Sequence, residues 1–272
     1  MNLRIFAVAA LWLAALQPAF AQLTSAEYKE KYDRQVRAVG YAGLGVETIL
    51  ERWASVHPDD TDMLEGRFFF ELTRARSTKV LRSPKPKYLN KKPLLTLKDS
   101  TGAPVYFFEE EFYDDSLFTC AIRCLERATA LQPDEFLYRA HLINSHNARE
   151  KEQPRLAVEE LDALISYDKA RHPAWTFQGN PTADSFFVDV VQEYCRLYRG
   201  IGSPEGYEAL RRISERMIKL YPERTEFQLN MAHYWNEAKN NPRKAVSICK
   251  KILSKHKEDE AAQALLNSLT QS

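Results

Sequence analysis

The sequence of 272 residues predicts an all-α fold, a solenoid of about five helix pairs closed by a C-terminal capping helix. Three observations support this prediction. Apolar residues recur three and four positions apart along most of the chain, and one spacing of small and apolar residues returns five times. The nine glycines leave little material for phosphate-binding loops, tight hairpins or a many-stranded sheet.

Residues 1–21 have the pattern of a secretory signal peptide. Arg4 precedes a twelve-residue apolar run at residues 5–16, and Ala19-Phe20-Ala21 supplies the small residues that a signal peptidase recognises. Such a run is too short to cross the hydrocarbon core of a membrane, which is about 30 Å thick. No cysteine follows it to carry a lipid. We therefore expect a soluble exported protein, periplasmic or secreted and not a lipoprotein, with the mature chain at residues 22–272.

The repeated spacing is a small or aliphatic residue, a bulky residue four positions later, an apolar residue three further on, and Pro or Lys after five more. These offsets place the first three positions, here called the anchors, on one face of a helix. The matches end at residues 58, 133, 169, 222 and 257, so the regular interval is about 35 residues and two intervals contain insertions. The anchors are Val46-Leu50-Trp53, Ala121-Leu125-Ala128, Ala157-Leu161-Leu164, Leu210-Ser214-Met217 and Ala245-Cys249-Ile252.

A second set of amphipathic segments fits between the matches, one before each. The first begins with Thr24-x-x-Glu27, a capping-box pattern in which both side chains accept hydrogen bonds from free N–H groups at the start of a helix. A last segment suits a helix that covers the apolar face of the final pair. The sequence thus predicts first helices over residues 24–39, 61–73, 136–147, 183–199 and 225–238, and a cap over residues 259–269.

The spacing, with Ala121, Ala128 and Pro133 in one match and Ala157 and Leu161 in the next, resembles the tetratricopeptide repeat, a 34-residue helix–turn–helix unit. The resemblance covers most of residues 24–257. It implies a right-handed superhelix whose concave wall, lined by the first helices, binds an extended peptide or a partner helix. We accordingly expect one helical repeat domain over residues 22–272.

Polar side chains recur three residues apart on two of the predicted first helices. Asn offers both a donor and an acceptor, which suits recognition of a peptide backbone. In family members that hold a peptide carboxylate, Asn and Lys or Arg on these helices do so; Asn144 and Asn230 match such positions, and a matching Lys is not evident. Alternatively, these are ordinary solvent-facing residues, with one His packed against a Tyr. The candidate groove residues are His141, Asn144, Asn147, Asn230, His233 and Asn236.

The first insertion, at about residues 77–114, contains four prolines that exclude a long helix. Residues 94–98 and 105–108 flank a turn at residues 99–102 and predict a β-hairpin. Eight basic residues lie between Arg74 and Lys92 without an acid among them, and an acidic run follows from Glu109. We interpret the segment as a contact for an anionic ligand through Arg82, Lys85, Lys87 and Tyr106, or as a solvated loop partly neutralised by the acids.

The second insertion, a loop at about residues 170–181, carries Trp175 and Phe177 among Pro and Gly residues. The preferred interpretation is that these aromatic rings cover an edge of the helical repeats. The alternative is a platform on which a sugar stacks, in which case Trp175 is a ligand contact.

Charge and cysteine content limit the partners. Without Arg4 the chain has as many basic as acidic residues, 37 of each, which provides no general attraction to nucleic acid or to anionic lipid. No later segment approaches the ~20 apolar residues that a membrane span needs. Cys120 and Cys124 lie four apart on one predicted helix, where a disulfide would be strained, so we interpret all four cysteines, including Cys195 and Cys249, as buried free thiols.

The sequence contains no metal-binding His or Cys motif, no nucleophile elbow and no phosphate loop. We therefore expect no catalytic residues, no cofactor and no metal. The leading hypothesis is a non-catalytic exported scaffold or assembly factor, monomeric or weakly oligomeric, that binds an envelope protein or peptide. The alternative is a glycan-binding accessory protein of the envelope, and the third is an unrecognised hydrolase whose catalytic groups converge from distant repeats.

Overall fold

The computed structural model describes residues 22–88 and 91–271, so the predicted signal peptide lies outside the described residues. The described chain is mostly helical, which confirms the predicted all-α class at this level. It contains eleven α-helices: α1 Ser25–Val39, α2 Val46–Val56, α3 Thr61–Ala75, α4 Asp115–Leu131, α5 Phe136–Glu150, α6 Arg155–Arg171, α7 Phe186–Ile201, α8 Pro204–Leu220, α9 Thr225–His233, α10 Pro242–Lys255 and α11 Glu260–Thr270. A π-helical turn, Tyr234–Ala238, continues α9.

Helices that follow one another in the chain pack together as pairs: α1 with α2, α3 with α4, α5 with α6, α7 with α8, and α9 with α10. Helix α11 then packs on α10. Most pairs also contact the next pair through consecutive helices, and α6 packs against α8. No helix of the described residues is long and apolar enough to cross a membrane.

All fifteen anchor positions lie on second helices, and each is at most 1% exposed. Burying a large apolar side chain stabilises a fold by about 1.5–3 kcal/mol, so this repeated stripe is a main source of stability. Even the polar anchor Ser214 is fully enclosed, with its hydroxyl 3.7 Å from the Cys195 thiol. The five repeated matches therefore mark the interior face of α2, α4, α6, α8 and α10.

Helix α1 begins where the sequence predicts and buries one of its faces. Thr24 and Glu27 form the predicted capping box at the start of α1, and Tyr28 and Tyr32 of that helix are buried. The helical spacing of Tyr28, Tyr32 and Val39 predicts that Val39 is buried as well; this prediction is wrong, because α1 ends there and Gly40, with a φ of 80°, turns the chain away. Val39 is 47% exposed.

The first insertion forms a three-stranded antiparallel sheet in the order β1-β3-β2, with β1 Arg76–Ser83, β2 Leu95–Lys98 and β3 Pro104–Tyr113. The predicted hairpin corresponds to β2 and β3. The basic segment, which we did not predict to be regular, is strand β1, and Lys79 lies opposite Glu110 on β3. The β-structure therefore includes a strand whose alternation of basic and small polar residues is not a recognisable strand pattern.

The sheet is fixed to the helices by a buried carboxylate. Glu110 is fully buried and pairs with Lys151 at the end of α5 and, at 3.6 Å, with Lys91. Lys151 also donates from Nζ to the Glu111 carbonyl oxygen at 2.8 Å. The acidic run thus attaches the sheet to α5 as well as facing the basic strand.

The second insertion is a short hairpin of β4 Thr176–Phe177 and β5 Asn180–Pro181. The Glu135 carboxylate accepts hydrogen bonds from the backbone N–H groups of Gln178 and Gly179, both at 2.9 Å. Trp175 is 6% exposed, packs edge-on against Phe136, and donates from Nε1 to Asp168 at 2.9 Å. The loop therefore covers the space between α6 and α7, which agrees with the preferred interpretation of edge cover.

All four cysteines are free thiols. Cys195 and Cys249 are buried, as predicted. The prediction of burial is wrong for Cys120, which is exposed, and Cys124 is only partly buried. Both belong to α4, where they lie at the margin of the buried Ala121 and Leu125 stripe.

Candidate functional site

The candidate site is a polar cleft of about 530 Å³ between α7 and α9, bordered by the start of α11. We call it the α7/α9 cleft. Two of the six predicted groove residues, Asn230 and His233, line it. The principal lining side chains are Gln192, Arg196, Arg199, Asn230, His233 and Glu237.

Helical periodicity brings these side chains together. Gln192, Arg196 and Arg199 lie four and three residues apart on α7, and Asn230, His233 and Glu237 have the equivalent three and four spacing on α9 and its π-helical turn. Residues at these intervals share one face of a helix. The two first helices therefore present polar stripes to one another, while their apolar residues face the second helices.

The floor of the cleft is a pair of amides. Asn230 donates from Nδ2 to Gln192 Oε1 at 2.8 Å, and Gln192 donates from Nε2 to Asn230 Oδ1 at 3.2 Å. Both residues are at least 90% buried. Each amide has two N–H groups and two acceptor lone pairs, so one donor and one acceptor on each remain for a ligand.

The wall of the cleft is organised by Glu237. Arg199 donates to both of its oxygens, at 3.0 and 2.6 Å, and the Tyr207 hydroxyl donates at 3.2 Å. Burial raises the pKa of the Glu237 carboxyl, but the hydrogen bonds and positive charge of Arg199 outweigh it and hold the pKa below its usual value. Glu237 is therefore ionised, and it neutralises the charge of Arg199.

His233 lies 3.1 Å from Glu237 through Nδ1. Burial lowers the pKa of the His233 imidazole, and the positive charge of Arg199 lowers it further. The ring is therefore neutral at pH 7: Nδ1 donates to the Glu237 carboxylate, which can only accept, and Nε2 remains as an acceptor rather than a charge.

Among the positively charged side chains of the cleft, Arg196 has the weakest interactions within the protein. It pairs with Glu193 one turn earlier on the same helix, and both side chains are about two-thirds exposed. Such surface pairs contribute only about 0–1 kcal/mol, so a ligand carboxylate can displace Glu193 at little cost. A smaller depression continues the cleft past Arg196, where Arg224 is held by Asp189 and Glu226, each at 2.6 Å.

The other predicted groove residues do not line the cleft. His141 forms a hydrogen bond through Nε2 with Glu65 at 3.2 Å, and its ring packs on Phe68 and Phe69. This resembles the alternative in which one His of the set packs against a Tyr, with Phe in place of Tyr. Asn144 is exposed, and Asn147 is partly buried beside Tyr198. Asn236 is half-buried outside the lining of the cleft.

The predicted insertion contacts divide in a similar way. Arg82, Lys85 and Lys87 are exposed, and Tyr106 is half-buried on β3. The proposed contact at Trp175 is wrong, since its ring is enclosed by Phe136 and Phe187 and its N–H group is bound to Asp168.

Sequence reasoning missed the α7 half of the cleft. Gln192, Arg196 and Arg199 recur four and three residues apart on this helix, a polar stripe that the candidate groove residues do not include. A search for polar residues at four and three spacing on every first helix would have found them. Their partnership with Asn230 could not be read from sequence, because 38 residues separate Gln192 from Asn230.

Comparison with known proteins found no family model that matches the chain, no similar curated protein and no similar solved structure. Among residues 22–88 and 91–271, no group of three or more His, Cys, Asp or Glu side chains is placed to hold a metal ion.

Proposed function

We propose that this chain is a non-catalytic exported binding protein of the tetratricopeptide-repeat type, a right-handed superhelix that holds an extended segment of another envelope protein or a peptide. The observation that carries the proposal is the amide pair of Gln192 and Asn230 at the floor of a polar cleft between two first helices. The pattern of residues 1–21 supports export.

The arrangement of helices supports the repeat assignment. Five pairs follow one another at the intervals set by the anchors, and all of the anchors are buried. A pair with one apolar face needs a neighbour to cover it, which is the principle of stacked helical repeats. In such repeats the first helices line one surface, and α7 and α9 are the first helices of adjacent pairs.

The chemistry of the cleft favours a peptide backbone. The amide floor and the neutral His233 provide donors and acceptors in fixed positions, and Arg196 provides a positive charge at the edge. A backbone in extended form presents N–H and C=O groups that such side chains can pair with. A volume of about 530 Å³ is within the usual range of ligand sites.

The glycan alternative loses its main support with the burial of Trp175. No particular observation favours the hydrolase, because the carboxylates of the cleft, Glu226 and Glu237, are bound to Arg224 and Arg199.

A photo-cross-linking residue at position 196, in cells that produce the full chain, tests the proposal directly. We expect one protein or peptide to be cross-linked from this position and not from Lys250, an exposed position on α10 that serves as the matched control. Asn230→Ala should weaken binding of that partner by about tenfold, since the remaining Gln192 amide is left without its partner. Absence of a cross-linked partner specific to position 196 contradicts the proposal.

A further inference from the structure

The outer half of the three-stranded sheet has an unusual concentration of exposed apolar side chains. Of the nine large apolar residues exposed in the described chain, four belong to this insertion. Leu94 is 66% exposed, Val80 60%, Leu95 50% and Leu97 49%.

The sheet register places most of these side chains on one face. Arg82 and Leu95 both lie opposite Phe107, and Leu97 lies opposite Val105. Directly opposed residues, and residues two apart on a strand, share a face. We call this the open sheet face; its exposed side chains are Val80, Arg82, Leu95 and Leu97, together with Glu109 opposite Val80, whereas Phe107 is half-buried and Val105 is buried.

The other face of the sheet is covered. Phe108 is buried with its ring 5.7 Å from that of Tyr88, and Glu110 is enclosed by Lys91 and Lys151. The protein therefore uses one face of the sheet for its own packing and leaves Val80, Leu95 and Leu97 on the opposite face exposed to solvent.

The same segment carries a strong local excess of positive charge. Seven basic residues and a single acid, Asp99, lie between residues 77 and 108. Lys91 is paired with Glu110, but the others form no ion pair with any carboxylate of the described residues: Lys79, Arg82, Lys85, Lys87, Lys92 and Lys98. Glu109 and Glu111 lie nearer the helices than the exposed leucines.

We propose that the open sheet face binds the surface of an anionic lipid bilayer together with the basic residues of the same insertion, Lys79, Arg82, Lys85, Lys87, Lys92 and Lys98, here called the basic margin. Exposed leucines enter the boundary between headgroups and acyl chains, while Lys and Arg side chains reach the anionic headgroups. An acidic peptide would match the charges but leave Val80, Leu95 and Leu97 in water. A second copy of this chain would cover the leucines but bring two basic margins together.

The electrostatic attraction of the insertion to an anionic bilayer is large even though the chain as a whole is nearly neutral. Each Lys or Arg near an anionic leaflet raises the partition constant about fivefold, and the effect falls off within a Debye length of about 10 Å at 0.1 M salt. Six unpaired basic groups on one insertion therefore provide a local attraction that the acids elsewhere on the molecule do not cancel. This inference does not depend on the α7/α9 cleft.

Co-sedimentation of the mature full chain with vesicles tests the proposal. We expect binding to phosphatidylcholine vesicles with about one third phosphatidylglycerol at ~0.1 M salt, and little binding to phosphatidylcholine alone. Lys85→Glu with Lys87→Glu should reduce the partition constant at least about 25-fold. Leu95→Ser with Leu97→Ser should reduce it about tenfold and keep the preference for anionic vesicles.

Two control variants, one double and one single, exclude nonspecific effects of charge and of apolar exposure. Lys250→Glu with Lys251→Glu on α10, and Leu197→Ser on α7, change equally exposed residues elsewhere and should leave vesicle binding unchanged. Circular dichroism of every variant should match that of the unmodified chain, because all of these side chains are on the surface.

Three outcomes would overturn the proposal. The first is equal binding to neutral and anionic vesicles, or none to either. The second is binding of poly-glutamate by a chain that does not sediment with vesicles, which would identify an acidic peptide as the occupant. The third is a dimer in sedimentation velocity that the Leu95→Ser and Leu97→Ser pair dissociates, which would identify a second copy.

Discussion

Single buried carboxylates hold the irregular segments of this protein in place. Asp168, at the end of α6, is 7% exposed and accepts from Trp175 Nε1 at 2.9 Å and from the Tyr221 hydroxyl at 2.6 Å. It joins the second insertion to the end of α8. Glu135 holds the turn between β4 and β5 by accepting hydrogen bonds from its backbone N–H groups, and Glu110 attaches the first insertion to α5 through its ion pair with Lys151. Asp168 and Glu135 supply acceptors for N–H and O–H groups near a short loop, whereas Glu110 acts through ion pairs with Lys91 and Lys151.

Replacing Asp168 by Ala should lower the free energy of unfolding by about 2–4 kcal/mol. The indole N–H and the Tyr221 hydroxyl lose their acceptor, and an unpaired buried donor costs about 1–3 kcal/mol. Urea denaturation followed by Trp fluorescence measures the change. Asp184→Ala, at an exposed position in the same connection between α6 and α7, is the matched control and should remain close to the unmodified protein. Equal stability of the two variants would show that Asp168 does not hold the loop.

The stability of the protein should fall as the pH falls below about 6.5. Burial lowers the pKa of His146 and His233 in the folded chain, so the unfolded state binds protons that the folded state does not. Stability therefore rises with pH wherever the unfolded state binds more protons, and it is lost as the pH falls below the ordinary imidazole pKa of about 6.5.

Urea midpoints on either side of this pH test the assignment. His146→Gln combined with His233→Gln should flatten the dependence, whereas His172→Gln, at an exposed position, should not alter it. A slope that persists in the double variant would assign the effect to other groups.

At the scale of elements, the first insertion is an accessory to the helical fold. Helices α3 and α4 pack directly on one another, and the ends of the insertion meet, since the Asp114 N–H donates to the Ala75 carbonyl oxygen at 2.9 Å. The second insertion is different, because Trp175 and Phe177 belong to or contact the main apolar core. The two insertions therefore have opposite structural roles.

Deleting residues 77–112 and joining the ends with a short Gly-Ser linker should leave the helical circular dichroism nearly unchanged. We expect the variant to lose vesicle binding and to keep its α7/α9 cleft partner. Deletion of residues 173–181, as the comparison, should lower the melting temperature strongly, because it removes Trp175 from the core. Global unfolding of the first variant would show that the sheet is part of the core.

The elements of the first insertion and of α9 differ in how far the sequence predicts them. The β2–β3 hairpin was predictable because apolar strands flank a turn with Gly102 at a φ of 85°. Strand β1 was not, since its stability comes from pairing with β3, about 30 residues away. The π-helical turn at Tyr234–Ala238 has no local signal either, although it carries Glu237 into the cleft.

For the whole molecule, the apolar core follows the order of the chain. One cluster joins α1 to α4 and includes Tyr138 and Leu142 of α5, a second joins α5 to α9, and a small third cluster lies between α9, α10 and α11. Each cluster is built from neighbouring pairs, so stability is distributed along the chain rather than concentrated in one centre. The C-terminal cluster is the smallest and should open first.

Truncation after residue 258 should destabilise the last pair selectively. Loss of Ala262, Leu265 and Leu266 exposes Cys249 and Ile252, so hydrogen exchange should speed up in α9 and α10 while α1 to α6 keep their protection. Gln263→Ala, at an exposed position of α11, is the control with unchanged exchange. Uniform loss of protection over the whole chain would mean that the clusters unfold as one unit.

The sequence alone determined the helices and their buried faces, because a helix repeats every 3.6 residues and the anchors record that period. It also determined the position of the insertions, through the interruption of the repeat. Tertiary structure alone decided which polar residues form a site. The sequence places His141 and Asn230 in one groove, but Asn230 pairs with Gln192, and Trp175 faces inward. These contacts depend on how helices that are distant in sequence pack together. Local periodicity carries no information about that packing.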